Sequence, residues 1–294
     1  MKKLKILVFL ILLGMFIVTH AYATSFFFST GDPDGKIGTT SGSANGIETE
    51  SADDFILTSE TMITNATFTG LLSGATTSDI QQVIIEIYRV FPADSDVGRT
   101  SGPPTFSTPD VPTRVNSPSD VAFDSRDSAS LGDLTFSATT VAIGFTVNNS
   151  VLSSINPIPN QTTKGEGPVT GNEVLFNVVF TTPFDLPADH YFFVPQVLLS
   201  SGDFLWLSAP KPIVPPGTAF PAGFTDLQSW IRDADLEPDW LRVGTDIVGP
   251  PPTGGPAPTF NAAFSLDGNT IPEPSTILLL GAGLAGVALL RKRV

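Results

Sequence analysis

Two aspartates near the start of the chain have the residue type and spacing of metal ligands. The segment GDPDGKIG (31–38) contains Asp32 and Asp34 in a turn-forming sequence, and carboxylate oxygens are ligands that Ca²⁺ prefers. The other ligands of an EF-hand loop, notably the glutamate at its twelfth position, are missing, although Asp53 and Asp54 could fold nearby. The sequence therefore leaves two interpretations: a calcium site at Asp32 and Asp34, or an acidic surface turn without a ligand.

The three tryptophans of the chain, Trp206, Trp230 and Trp240, could form a second kind of site. An exposed indole ring is flat and apolar, so the apolar face of a sugar packs well on it. Alternatively, Trp206 lies in the core within the apolar segment FLWLSA, and Trp230 packs a short helix that we predict over 225–233. We therefore expect a carbohydrate platform only if these side chains are exposed.

Few residues between 24 and 271 are suited to catalysis. His190 is the only histidine after residue 23, and a single histidine, here flanked by Asp189 and Tyr191, is more often structural than catalytic. The chain has no cysteine and no G-x-S-x-G segment, so it offers neither a thiol nucleophile nor a nucleophile elbow. One histidine without cysteine also provides too few ligands for a typical zinc site. Acidic residues are plentiful enough for a glycosidase pair, but no pair stands out, and we predict a protein that is not an enzyme.

The charge of the chain excludes one class of partner. Between residues 24 and 271 there are nine lysines and arginines against 28 aspartates and glutamates, a net charge of −19. Nucleic acids bind basic surfaces, so we expect no nucleic-acid partner. A strongly negative charge keeps a secreted protein soluble through self-repulsion, and it would also favour bound cations.

The first 23 residues have the three parts of a secretory signal peptide. A lysine-rich start precedes an apolar run over 6–18, and the small residues Ala21 and Ala23 have the spacing that signal peptidase requires. The apolar run is shorter than the ~20 residues that a membrane-spanning helix needs. We therefore predict cleavage after Ala23 and export of the rest of the chain.

The body, residues 24–271, is predicted to be a single all-β domain. Short apolar stretches alternate with turn residues, and VIIEIYRV (83–90) and VLFNVVFT (174–181) place every second apolar side chain on one face if they are strands. Further strands are predicted at 53–57, 65–72, 134–147, 190–199, 204–209 and 259–266. Roughly nine strands, if the longest run (134–147) splits in two, suit an antiparallel, jelly-roll-like β-sandwich. Because proline is excluded from central strands, the proline-rich segments are predicted to be long loops: 101–120, 209–223 and 249–259.

The segment GAGLAG (281–286) formally matches the G-x-G-x-x-G fingerprint of dinucleotide-binding proteins. Such a site needs a full helix after the glycines and an acidic residue about 20 positions further on, but only eight residues follow here. The segment lies within an apolar stretch, and we predict a single transmembrane helix over 276–290. The basic residues Arg291, Lys292 and Arg293 would hold the C-terminus on the cytoplasmic side. The sequence therefore predicts a membrane anchor and no dinucleotide cofactor.

The last 23 residues resemble a known sorting signal. Pro272, Glu273 and Pro274, a short apolar helix and a terminal basic cluster follow one another in the order of the PEP-CTERM signal. The resemblance implies secretion through the inner membrane of a Gram-negative, usually biofilm-forming bacterium. It also implies that exosortase, a membrane transpeptidase, recognises the Pro-Glu-Pro triplet, so that the helix anchors the protein only transiently. Two prolines fix an extended segment that a processing enzyme can grip.

The body also resembles secreted β-sandwich members of that group, in the stretches ADHYFFVPQV (188–197) and FLWLSAPKPI (204–213). A structural or adhesive role in an exopolysaccharide or biofilm matrix, at the cell surface or outside the cell, is what this resemblance implies. Two alternatives remain: a carbohydrate-binding module with exposed tryptophans, and a glycan-active enzyme with two carboxylates ~5–10 Å apart in a cleft.

Overall fold

The computed structural model describes residues 23–44, 47–95, 115–129, 132–153, 155, 162–233 and 240–272. Regular structure in these residues is almost entirely β. The strands are β1 (Ser25–Ser29), β2 (Ile37–Thr40), β3 (Gly42–Ala44), β4 (Ile47–Ile56), β5 (Thr61–Ser73), β6 (Ile80–Arg89), β7 (Asp124–Asp127), β8 (Leu134–Val147), β9 (Asn149–Val151), β10 (Val169–Leu186), β11 (His190–Leu199), β12 (Asp203–Ala209), β13 (Trp230–Asp233), β14 (Leu241–Arg242), β15 (Asn261–Ala262) and β16 (Phe264–Thr270).

These strands form two open sheets. Sheet I has the order β1-β16-β5-β12-β2-β9, with β10 and then β8 continuing from β5, and with β15 added to β12. Sheet II has the order β14-β13-β4-β11-β6-β7, with β3 added to β4. Among the described strand pairs, β2 and β9 are parallel and the others are antiparallel. Apart from β2 and β9, the strand pairs with a described register confirm the predicted antiparallel architecture.

The two sheets share one hydrophobic cluster, which explains the alternation seen in the sequence. β6 belongs to sheet II and β10 to sheet I, yet every second side chain of both strands points into this common cluster. The predicted inward-facing residues all lie in it: Val83, Ile85, Ile87, Val174, Phe176, Val178 and Phe180. Two open sheets with a shared core are the arrangement that a β-sandwich requires.

The predicted helix over 225–233 is wrong. Residues 230–233 form β13 instead, with Trp230 opposite Ala52 and Ile231 opposite Ser51 of β4. Trp230 and Ile231 are both buried but belong to different hydrophobic clusters. In a strand, consecutive side chains point to opposite faces. Trp230 and Ile231 are therefore buried on the two faces of β13, whereas a helix would have placed them on one side. The helical segments of the described residues are a 3₁₀ turn at Thr77–Asp79 and one π-helical turn at Val243–Val248.

Two of the predicted proline-rich loops are confirmed. Residues 210–223 and 249–259 contain no strand, although Ala209, the first residue of the predicted loop 209–223, still belongs to β12. Most of the 101–120 segment lies outside the described residues. The predicted strand at 259–266 is interrupted at Ala263, so it forms the end-to-end pair β15 and β16. β15 pairs with β12, whereas β16 pairs with β1 and β5.

We expect truncation of the core residue Phe176 to destabilise the folded state strongly. Its ring stacks on Phe68 with centroids 4.5 Å apart, and it is fully buried. We expect Phe176→Ala to lower the free energy of unfolding by about 3–5 kcal/mol, because it leaves a cavity between the sheets. Val179→Ala is the matched control on the same strand, since Val179 is 47% exposed. Equal chemical denaturation midpoints for the two variants would contradict this account of the core.

Candidate functional site

The predicted tryptophan platform is wrong, because all three indole rings are buried. Trp206 and Trp230 are 1% exposed and Trp240 is 0% exposed. Trp206 Nε1 donates to the carbonyl of Ala263 at 2.9 Å, and Trp240 Nε1 donates to that of Ser119 at 3.1 Å. A sugar cannot stack on rings that the protein covers on both sides. The core interpretation of Trp206 is confirmed.

The turn at Asp32 and Asp34 is held together by its own neighbours. Asp34 Oδ1 accepts hydrogen bonds from Ser208 Oγ at 2.5 Å and from the Lys36 amide at 3.1 Å, and Asp34 Oδ2 pairs with Lys36 Nζ at 2.8 Å. In the part of the chain that the structure describes, no three histidine, aspartate or glutamate residues are grouped to hold a metal ion. Calcium at Asp32 and Asp34 stays a prediction, and the ion would have to displace Lys36 from this carboxylate.

His190 has a carboxylate partner that is distant in sequence. Its Nε2 lies 2.6 Å from Asp54 Oδ2, which also accepts the amide N–H of Leu227 at 3.1 Å. The side chains on either side of His190 have other partners: Asp189 pairs with Arg89, and the Tyr191 hydroxyl donates to the carbonyl of Pro187. Burial raises the pKa of Asp54, and the hydrogen bonds from His190 and Leu227 oppose that rise only in part. The pair joins β4 to β11 and to the segment before β13.

A second polar cluster lies on the outer face of sheet II and contains two carboxylates. Glu50 pairs with Arg232 Nε, and Arg232 Nη2 donates to the Tyr88 hydroxyl at 2.8 Å. Tyr88 in turn donates to Glu86 Oε2 at 2.9 Å. The amide nitrogen of Gln196 lies 3.1 Å from Glu86 Oε2 and 3.5 Å from Glu50 Oε1, so one side chain reaches both carboxylates.

This cluster places an acid that titrates near neutral pH beside a second carboxylate. Burial, followed by the charge of Glu50, raises the pKa of Glu86 from 4.5 to about 7. The Arg232 guanidinium also stacks over the Trp240 ring, 4.6 Å from its centroid. The strand pattern places Glu86 and Tyr88 on the polar face of β6, but the partners Glu50, Gln196 and Arg232 come from three other strands, which no local pattern brings together.

The outer face of sheet I carries a row of uncharged polar side chains, here called the hydroxyl face. Ser137 of β8 is opposite Asn177 of β10, which is opposite Thr67 of β5. Thr67 Oγ1 lies 2.7 Å from Ser265 Oγ of β16, and Ser265 is opposite Ser29 of β1. The alternating neighbours of these residues point into the core, so this row lies on the solvent side of five adjacent strands.

The two predicted processing segments are bordered by residues that contact each other. The Thr270 amide donates to the Thr24 carbonyl at 2.9 Å, the Thr24 amide donates to Thr270 Oγ1 at 3.0 Å, and the two hydroxyl oxygens lie 2.8 Å apart. Ala23 is exposed and Pro272 is half-buried. The remaining predicted sorting and anchoring residues lie outside the described residues: Ala21, Glu273, Pro274, Arg291, Lys292, Arg293 and the helix 276–290. The described residues include no helix that is long and apolar enough to span a bilayer.

Comparison with protein families decides the nature of the tail. A family model described as the PEP-CTERM protein-sorting motif matches residues 270–293. This motif indicates an exosortase-sorted extracellular protein. The match begins at Thr270, which is the last residue of β16. No curated protein and no solved structure matches the chain.

The raised pKa of Glu86 predicts a pH dependence of stability. Between about pH 4.5 and pH 7 the folded state keeps a proton on Glu86 that the unfolded state has lost. The stability contributed by this group is therefore complete below about pH 4.5 and is lost as the pH rises through 7. In Glu86→Gln, the difference in free energy of unfolding between pH 4.5 and pH 8 should shrink by about 3 kcal/mol. The exposed Glu60→Gln is the control, and a Glu86→Gln profile parallel to that of the wild type would contradict the shift.

The sorting motif predicts where the exported protein ends. We expect the intact mass of the protein released by its native host to correspond to a C-terminus near Pro272–Pro274, and a strain without exosortase to retain the whole tail. Pro272→Ala combined with Pro274→Ala should also retain the tail, because the two prolines of the sorting motif are lost. Ser275→Ala is the control beside the motif. Identical C-termini in both strains would overturn this processing scheme.

Proposed function

We propose that the protein is a non-enzymatic structural or adhesive component of an exopolysaccharide or biofilm matrix. In this proposal a Gram-negative cell exports the chain through its inner membrane, and signal peptidase cleaves after Ala23. The helix 276–290 then holds the protein transiently until exosortase acts at Pro272–Pro274. The sorting motif at 270–293 supports the export and processing steps.

The observation that carries the matrix-binding part is the hydroxyl face. The body has a net charge of −19, yet the row Ser137, Asn177, Thr67, Ser265 and Ser29 contains no charged residue, and neither does the whole of β8. A neutral polysaccharide offers hydroxyl groups that both donate and accept hydrogen bonds. Serine, threonine and asparagine side chains donate and accept in the same way. We therefore assign a neutral polysaccharide strand as the occupant of this face.

The dimensions of the face also suit an extended chain. Five adjacent strands separated by about 4.8 Å each give a row of about 19 Å. The neighbouring row supplies Thr135 opposite Val179, and Val179 is 47% exposed. An exposed aliphatic side chain beside hydroxyl groups can cover the apolar C–H face of a sugar ring without competing for its hydroxyls.

A glycan-active enzyme is the second candidate, favoured by the Glu50–Glu86 pair. Glu86 with a pKa of about 7 has the protonation expected of a general acid, and Glu50 stays close enough to share Gln196 with it. Reducing ends released from exopolysaccharide by the wild type but not by Glu86→Gln would favour this candidate over the non-enzymatic proposal.

Binding to exopolysaccharide purified from the native host tests the main proposal. We expect the wild type to co-sediment with this polymer, and the double variant Ser137→Glu/Asn177→Asp to be retained at least tenfold less. The two substitutions remove hydrogen-bond donors from the face, and the new carboxylates would have to lose their bound water when the polysaccharide binds. Val121→Glu is the control, since Val121 is 62% exposed and lies outside sheet I. A wild type that does not sediment, or a double variant that sediments equally, would rule out the hydroxyl face as the binding surface.

A further inference from the structure

Lys211 lies in an unusual buried site directly after β12. Its ammonium nitrogen has four oxygen neighbours: Asp226 Oδ1 at 2.6 Å, the carbonyls of Asp226 at 3.0 Å and Leu227 at 2.5 Å, and Asn261 Oδ1 at 2.8 Å. The Lys211 side chain is 12% exposed, and Asn261 is 1% exposed. An amine nitrogen is therefore held against a carboxamide in a site from which solvent is nearly excluded.

Asp226 connects the two nitrogen atoms of this pair. Its Oδ1 accepts from Lys211 Nζ, and its Oδ2 accepts from Asn261 Nδ2 at 3.3 Å. The Asn261 amide also donates to the carbonyl of Pro210 at 3.4 Å, which fixes its oxygen toward Lys211. One carboxylate thus contacts both the amine that could attack and the amide nitrogen that could leave.

A second carboxyl group approaches from sheet II. Asp53 of β4 is fully buried, and its Oδ2 accepts the amide N–H of Ala262, the residue after Asn261. Its Oδ1 has no hydrogen-bond partner among the described residues. Burial and the neighbouring Asp54 raise the pKa of Asp53, while the charge of Lys211 opposes that rise. The raised pKa favours the protonated form of Asp53, so this buried carboxyl group adds less negative charge beside Lys211 and Asp226.

We propose that Lys211 and Asn261 join in an intramolecular isopeptide bond. Lys211 Nζ forms a bond to Asn261 Cγ, and the bond from Cγ to Nδ2 breaks. Two protons move from Nζ to Nδ2, relayed by Asp226 through its two oxygens, and the nitrogen leaves as ammonium. An alkylammonium and a carboxamide thus give a secondary amide and NH₄⁺, so the step needs neither an oxidant nor a cofactor.

The position of the bond suits a secreted protein that has no cysteine. Lys211 and Asn261 are 50 residues apart, and the segment between them includes most of the irregular chain at 210–223 and 249–259. A covalent link across such a loop stabilises the folded state by restricting the unfolded chain, as a disulfide does. Without the covalent bond, Lys211 and Asp226 would form only a buried ion pair. The mass of the linked peptides distinguishes the two cases.

Peptide mass spectrometry of the folded protein exported by its native host tests the proposal. After digestion, the peptide containing Lys211 and the peptide containing Asn261 should appear as one species, about 17 Da lighter than their sum because ammonia is lost. Fragmentation should place the link at Lys211 and Asn261. If the folded wild type gives two separate peptides of full mass, the proposal is overturned.

Three variants separate the reaction from its structural setting. Lys211→Met should give two separate peptides, and circular dichroism checks that it folds. Asp226→Asn keeps both reacting residues and a polar partner but cannot accept the proton, so fewer than a tenth of its chains should be linked. Lys36→Met is the control, because Lys36 also pairs with an aspartate, Asp34, and should remain fully linked at Lys211. Complete linkage in Asp226→Asn would contradict the assigned relay.

Discussion

Phe193 of sheet II stacks on Phe264 of sheet I with ring centroids 5.0 Å apart, and Trp206 packs edge-on against both rings. This aromatic contact lies within the single cluster that both sheets share. Because the chain has no cysteine, no disulfide stabilises the body, and the burial of such rings supplies the main force that keeps the sheets together. The side chains that do not point into this core form the outer faces of the two sheets.

The two outer faces have opposite characters. On sheet II, Leu227 and Trp240 pack against the outer side of the strands, and charged groups such as Glu50 and Arg232 are buried beside them and paired. On sheet I, the hydroxyl face carries no charges that need partners, and Ser137 and Asn177 are exposed there. Titratable groups on sheet II are therefore buried and paired, whereas the hydroxyl face is an uncharged row on the solvent side of sheet I in a strongly acidic protein.

Much of the fold could be predicted from alternation. The segments 134–147 and 190–199 coincide with β8 and β11, and the inward residues of β6 and β10 are the predicted ones. Short strands escaped prediction because two to five residues carry too little pattern; β2, β7 and β14 are of this kind. β13 was mistaken for a helix, since an apolar pair buried on both faces resembles a helical stripe.

The sequence by itself determined the sorting tail, because that signal is a local order of residue types: Pro272–Pro274, an apolar stretch and a basic end. It also determined the β class and the absence of thiol chemistry. Only the tertiary structure decided whether the tryptophans are buried or exposed, since burial depends on which strands and loops cover a ring. Likewise, only folding brought Asp54 to His190, 136 residues away, and Asp226 to Lys211 and Asn261. Hydrogen bonds and proton transfers act over about 3 Å in space, so groups distant in sequence become chemical partners only when packing has placed them there.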